Sequence, residues 1–197
     1  MGRPRAYDER TAGDLLAAAE RIVDVEGLDA LSVRRVANAI DVTTRAVYSL
    51  FGSKDGLVVA LGARAFDLLK AALDALPTTS DPASDVVEAG ALVFRRFALE
   101  HPALLRIGVQ HLGMSPELAS QFRGAADRAL EGLQSRIARL ADHGQLGARG
   151  VAEAACAFDA LCEGLATLEL RGAIPANKAE RVWRDALRAL VAGWRAT

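Results

Sequence analysis

Apolar residues return every three or four positions along most of this chain, and each run stops at a glycine, a proline or a capping residue. Leu15, Leu16, Ala19, Ile22 and Val23 form one such face. It predicts a helix from Asp8 or Thr11 to Glu26, with Gly27 as its stop. Ser32 then caps a short helix over 33–40, whose Val33, Val36, Ala37 and Ile40 share a side. Asp41-Val42 makes a turn, and Thr43 caps a third helix to about Leu50 that buries Ala46, Val47 and Leu50. Phe51-Gly52 ends it, and Ser53 caps a long fourth helix from Lys54 to about Leu76. After the loop from Pro77 to Pro82, the same periodicity predicts helices over 82–100, from Pro102 to near Leu112, over 115–143, over 149–171 and over 177–195. No segment alternates apolar and polar residues as a half-buried strand does. The expected fold class is therefore all-α, with about nine helices.

Composition agrees with this pattern. Of 197 residues, 51% are apolar and 25% charged, which suits a packed globular chain and excludes wholesale disorder. No apolar run approaches the roughly 20 residues of a bilayer span, and no leader is visible, so a cytoplasmic protein without a membrane partner is expected. Cys156 and Cys162 lie six apart on one predicted helix, where they cannot easily pair, and are expected as small hydrophobes in a reduced compartment. No metal-like spacing of Cys and His occurs, and neither a metal nor a cofactor is expected.

Net charge is −1, which taken alone argues against nucleic acid. Its distribution does not. From Leu31 to Lys54 stand Arg34, Arg35, Arg45 and Lys54 against Asp41 alone, while the acids of the first fifty residues collect on the first helix. A short helix, a tight turn and a second short helix form the geometry that lays a recognition helix in the major groove. Here the second helix opens Thr43-Thr44-Arg45: Arg can grip guanine bidentately, and Thr can bond a base edge or meet a thymine methyl. Tyr48 stands one turn on, where its hydroxyl could reach a phosphate. Ser53 and Lys54 open the next helix at a further phosphate position, with Ser32 and Arg34 on the helix before. Arg3 and Arg5, in the stretch Gly2-Arg3-Pro4-Arg5, could lie in a minor groove or form a merely charged terminus. By geometry alone, two short amphipathic helices joined by a turn also occur in proteins with no DNA role.

The residues themselves carry a resemblance. Leu31-Ser32-Val33-Arg34-Arg35-Val36-Ala37, followed by Val42-Thr43-Thr44-Arg45-Ala46-Val47-Tyr48-Ser49-Leu50-Phe51-Gly52-Ser53-Lys54-Asp55-Gly56-Leu57, resembles the signature of the TetR family of transcriptional regulators. The aromatic pair Tyr48 and Phe51 before Ser-Lys-acid-x-Leu is its hallmark. Three positions depart from it: Asp41 stands where the family usually has Gly, Ala46 where Thr is common, and Leu50 where a His is common. The last departure leaves more of the phosphate grip to Tyr48, Lys54 and the arm. Phe97-Ala98-Leu99-Glu100-His101-Pro102-Ala103-Leu104-Leu105-Arg106 is similar to one subgroup's junction between helices 5 and 6. Residues 163–170 are similar to that subgroup's helix 8, with Glu163 where a His is usual.

The resemblance implies an N-terminal three-helix DNA-binding domain with its arm, residues 1–53. A long fourth helix joins it to a C-terminal helical domain, 54–197, for effector binding and dimerisation. An effector pocket is expected among Phe66, Phe94, Phe97, Ile107, His111, Met114, Phe122, Phe158 and Cys162, a mostly apolar set in which each single side chain is more readily read as plain core than as ligand contact and about half are expected to line the pocket. Helix 9 has two apolar sides, and helices 8 and 9 are the dimer candidates through Phe158, Leu165, Val182, Ala186, Ala189, Leu190 and Gly193. The implied function is a homodimeric repressor on a palindromic double-stranded DNA operator, released by a small effector. An enzyme is disfavoured, since no Ser/His/Asp set, paired catalytic carboxylates, Gly-rich phosphate loop or HExxH spacing is found. A protein-interaction module without DNA would show no salt-dependent retention on DNA.

Overall fold

The structure, a computed structural model, describes residues 9–109 and 115–195, and for Leu118 and Ala119 the backbone alone. Arg3, Arg5, His111 and Met114, four of the expected site residues, lie outside the described residues. In chain order the α-helices are α1 (Glu9–Glu26), α2 (Val33–Ala39), α3 (Thr44–Phe51), α4 (Lys54–Ala75), α5 (Pro82–Glu88), α6 (Arg95–Glu100), α7 (Pro102–Leu104), α8 (Pro116–Ser120), α9 (Arg123–Asp142), α10 (Val151–Leu170) and α11 (Ala176–Trp194). No strand occurs among the described residues, so the all-α expectation holds.

Several ends form as capping chemistry requires. Gly27 stops α1 at φ 85°, its amide donating to the Val23 carbonyl at 2.9 Å. Ser32 Oγ accepts from the Arg35 amide at 3.3 Å, and Ser53 Oγ from the Gly56 amide at 3.0 Å. Asp81 accepts from the amides of Ala83 and Ser84, with Pro82 at the first helical position of α5. Asp41 sits at φ 54°, the left-handed conformation that the turn between α2 and α3 needs and that Asp tolerates better than most side chains.

Three expected helices differ in detail. The run from Pro82 to Glu100 is continuous but passes through a π-helical stretch at Ala89–Phe94 between α5 and α6, and a second π stretch, Leu105–Val109, follows α7. Such an extra residue per turn leaves no mark in a 3.6-residue hydrophobic period. The single helix expected over 115–143 is broken at Gln121–Phe122, between α8 and α9. There the Phe122 ring lies on the bare backbone of Gly62, where a Cβ would stand 2.6 Å from the ring.

The described residues pack as two compact units. One takes those up to Ala65 and those between Ala103 and Arg123; the other takes Phe66–Pro102 and those from Gly124 onward. In the first, Leu15, Ala19 and Val23 of α1 meet Val36 and Ala37 of α2 and Ala46 and Val47 of α3, all at most 2% exposed. Leu57 and Leu61 of α4 complete that core. In the second, α5, the π stretch, α10 and α11 surround Phe94, Phe158, Trp183 and Leu187. Burying a side chain such as Leu187 stabilises by about 1.5–3 kcal/mol.

Polar contacts lock the second unit. Arg95 grips Glu169 through Nε and Nη2 at 3.0 and 2.8 Å, while Trp183 Nε1 donates to the same carboxylate at 2.8 Å. These three residues join α6, α10 and α11. Arg136, nine-tenths buried, donates to the carbonyls of Leu73 and Leu76 at 2.6 and 2.5 Å and so closes the C-terminal end of α4. Burial works against the charged form of Asp85, yet hydrogen bonds from the Thr79 hydroxyl and amide and from Arg139 hold its carboxyl below the usual range.

Candidate nucleic-acid interface

α3 is amphipathic, and its two faces separate structure from chemistry. Ala46 and Val47 are fully buried, so the residues beside them in the helical turn must face outward. Thr43, Thr44, Arg45, Tyr48 and Ser49 are exposed, Tyr48 to 54%. An aromatic ring so open to solvent contributes little to the core, whereas a phenolic hydroxyl beside Arg45 and Thr44 suits a surface of phosphates and base edges. Thr43 occupies the N-cap in extended conformation, so the Thr44-Arg45 pair forms the first turn of α3.

Two further elements add cations around this helix. On α2, Arg34 and Arg35 are both exposed. Arg35 is committed to Glu26 at the end of α1 by two hydrogen bonds, one of 3.0 Å through Nη1, and it also reaches the Ala30 carbonyl at 3.4 Å. This bond holds the Glu26 carboxyl below its ordinary value and raises the Arg35 guanidinium. Arg34 makes no such contact among the described residues. Lys54 is exposed at the first position of α4, set there by the Ser53 cap. Leu50 is half-buried, and Phe51 likewise.

The expected DNA-binding residues that are described therefore fall on adjoining elements of one unit: Ser32 and Arg34 on α2 and its cap, Thr43 to Tyr48 on α3, Ser53 and Lys54 at the start of α4. Ser32 and Ser53 serve as helix caps. Sequence reasoning did not foresee that Arg35 would be occupied. Its only signal is the acid at position 26, which the chain brings back across the turn at Leu28–Ala30.

The effector-pocket and dimer residues distribute differently. Phe94, Phe97, Phe158 and Cys162 are buried in the second unit and Phe66 is half-buried there. Phe94 lies 6.4 Å from Trp183, and Phe97 5.7 Å from His101, between ring centroids. Burial pushes the Cys162 thiol up. Ile107 and Phe122 are buried in the first unit. On α10, Phe158 and Leu165 are buried in the core of the second unit. The outward face of α10 instead carries Cys156, Ala160 and Gly164. On α11, Ala189 and Gly193 are exposed and Val182, Ala186 and Leu190 half-buried, while Trp183, Leu187 and Val191 fill the core.

Comparison with known proteins bears on both halves of the chain. The family described as bacterial regulatory proteins, tetR family, matches residues 15–61, and the tetracyclin repressor-like C-terminal domain matches residues 87–190. No curated protein matches the chain. Among solved structures, a protein of unknown function from Rhodococcus sp. RHA1 superposes with a TM-score of 0.82 at 25% identity, covering 98% of this chain and 100% of that one. The TetR family transcriptional regulator PfmR from Thermus thermophilus superposes at 0.70 and 24% identity, covering 90% and 96%. The fatty acid degradation regulator FadR from Bacillus halodurans shares the fold at 0.80 and 12% identity, covering 96% and 98%. With its helix-turn-helix and its C-terminal helical domain both matched, the chain belongs to the TetR family of DNA-binding transcriptional regulators.

Proposed function

We propose that this regulator is a homodimeric repressor that holds a palindromic operator and is released by a small, mostly apolar effector, acting in the cytoplasm. The observation that carries the DNA side is the outward row Thr44, Arg45 and Tyr48 on α3, flanked by the exposed cations Arg34 and Lys54. In this reading residues 1–53, with Arg3 and Arg5 on the arm, form the DNA-binding domain, and residues 54–197 bind effector and partner. The half-open strip Val182, Ala186, Ala189, Leu190 and Gly193 supports α11 as part of the dimer face, because small residues permit close helix packing across a two-fold axis. An effector shifts the equilibrium only by its differential affinity for the two states.

Selection of bound duplexes from random DNA tests the reading. The expected product is a palindrome with half-sites about 34–36 Å apart, one helical turn or a multiple. Arg45→Ala then abolishes preference for that duplex while leaving the oligomeric state unchanged in analytical ultracentrifugation. Enrichment of no sequence, or an Arg45→Ala variant that still prefers the palindrome, overturns it.

A further inference from the structure

Three of the acids that collect on α1 in the sequence are used within the fold, each on a different element. Glu20 pairs with Arg64 of α4 at 3.6 Å, and Glu26 holds Arg35 of α2. Asp24, one turn from Glu20, reaches furthest along the chain. Its Oδ1 accepts the Ala103 amide at 2.7 Å, across 79 residues of sequence. Pro102 has no N–H, so this is the first donor that the α7 segment offers, and a carboxylate is the favoured acceptor at such a position. Arg106, one turn further on, stands 3.6 Å from the same Oδ1 and donates to the Val23 carbonyl in the last turn of α1 at 3.4 Å. The two ends thus hold each other: α1 supplies a carboxylate to the segment's N-terminus, and the segment returns a cation to the C-terminal turn of α1. The same segment is seated on α4 two residues later, where a Cβ on Gly108 would stand 2.5 Å from the Ala65 Cβ and 3.1 Å from the Gly62 carbonyl. Helix α1 in turn packs against both α2 and α3.

We infer that Asp24 and Arg106 are positioning residues for DNA binding: from outside the helix-turn-helix they fix the orientation of α1, and through it the orientation of the α2–α3 pair. Burial of Leu15, Ala19 and Val23 is a non-directional driving force: it holds α1 on its neighbours without aiming any one group at another. The Asp24–Ala103 bond is directional, and with Arg106 it specifies one angle. Without that bond, part of the operator-binding free energy goes into ordering α1. Binding driven only by charge, which accepts many orientations, is not penalised.

This inference rests on the operator reading above, and wild-type binding to the selected duplex tests that reading separately. Fluorescence anisotropy with that duplex and with a scrambled one reads the effect of the variants. Asp24→Ala and Arg106→Met each weaken operator binding about tenfold, and the double variant is no weaker than either single one. The scrambled duplex binds as before. Asp24→Asn keeps an acceptor for the Ala103 amide and restores part of the affinity, which also guards against a variant that merely misfolds. Melting temperatures measured in parallel separate positioning from stability. If Tm falls while operator affinity stays at the wild-type value, or if the two effects simply add, the pair is a structural contact only and the inference fails.

Discussion

Arg34 and Arg35 are chain neighbours on α2 with different employment: Arg35 closes onto Glu26, and Arg34 remains exposed beside the recognition helix. The same division separates Lys54 from Arg45. In the proposed reading Arg45, exposed in the first turn of α3, reads base edges, whereas Lys54, exposed at the head of α4, neutralises a phosphate. Lys54→Ala should therefore weaken binding to the operator and to a scrambled duplex by the same factor. It should also flatten the plot of log affinity against log salt by about 0.9 for each phosphate that is no longer neutralised. A weakening confined to the operator would instead assign Lys54 to base recognition. Asp41 shows how a departure from the family pattern is absorbed: its φ of 54° is open to Asp at modest strain, so the turn forms without the usual glycine.

At the scale of elements, the π-helical stretch Ala89–Phe94 is the feature that periodicity could not reveal. It brings Gly90 onto α10 and α11, where an added Cβ would meet the Leu187 methyls at 2.6 and 3.0 Å and Cys162 Sγ at 3.1 Å. The neighbours are fully buried, so they cannot swing away. Gly90→Ala should consequently destabilise the protein by about 1–3 kcal/mol, read as a lower urea midpoint at unchanged m. A neutral or stabilising result would mean that this region relaxes more freely than close packing allows. The break before α9 has a similar origin. A residue that must bury its ring against Gly62 interrupts a run whose polar and apolar spacing reads as one helix.

For the molecule as a whole, Glu163 links stability to pH. Burial, reinforced by the neighbouring charge of Asp159, raises its carboxyl to about 7. The unfolded chain has a carboxyl at about 4.3. A raised acid favours the neutral form in the folded state, so its contribution is fully present below the unfolded value and is lost as pH rises through about 7. Melting temperature should fall between about pH 4 and pH 7, and Glu163→Gln should flatten that fall. A pH profile identical in the two proteins would remove Glu163 as the cause.

The class of this protein was already written in its order of residues. Helix spacing, caps at Ser32, Ser53 and Asp81, and the run from Val42 to Leu57 are local properties, set within a few residues by backbone sterics and side-chain hydrogen bonding. The outward face of α3 follows from them, since burying Ala46 and Val47 leaves Thr44, Arg45 and Tyr48 no other side. Tertiary structure alone decided what depends on residues far apart in the chain. It occupied Arg35, inserted the π turns, seated Phe122 on Gly62, and turned Phe158 and Leu165 of α10 into the core of the second unit. It also brought Asp24 to Ala103 and Arg106. A hydrophobic period reports that a face is buried, but not against what, and a charge count reports an acid without its partner.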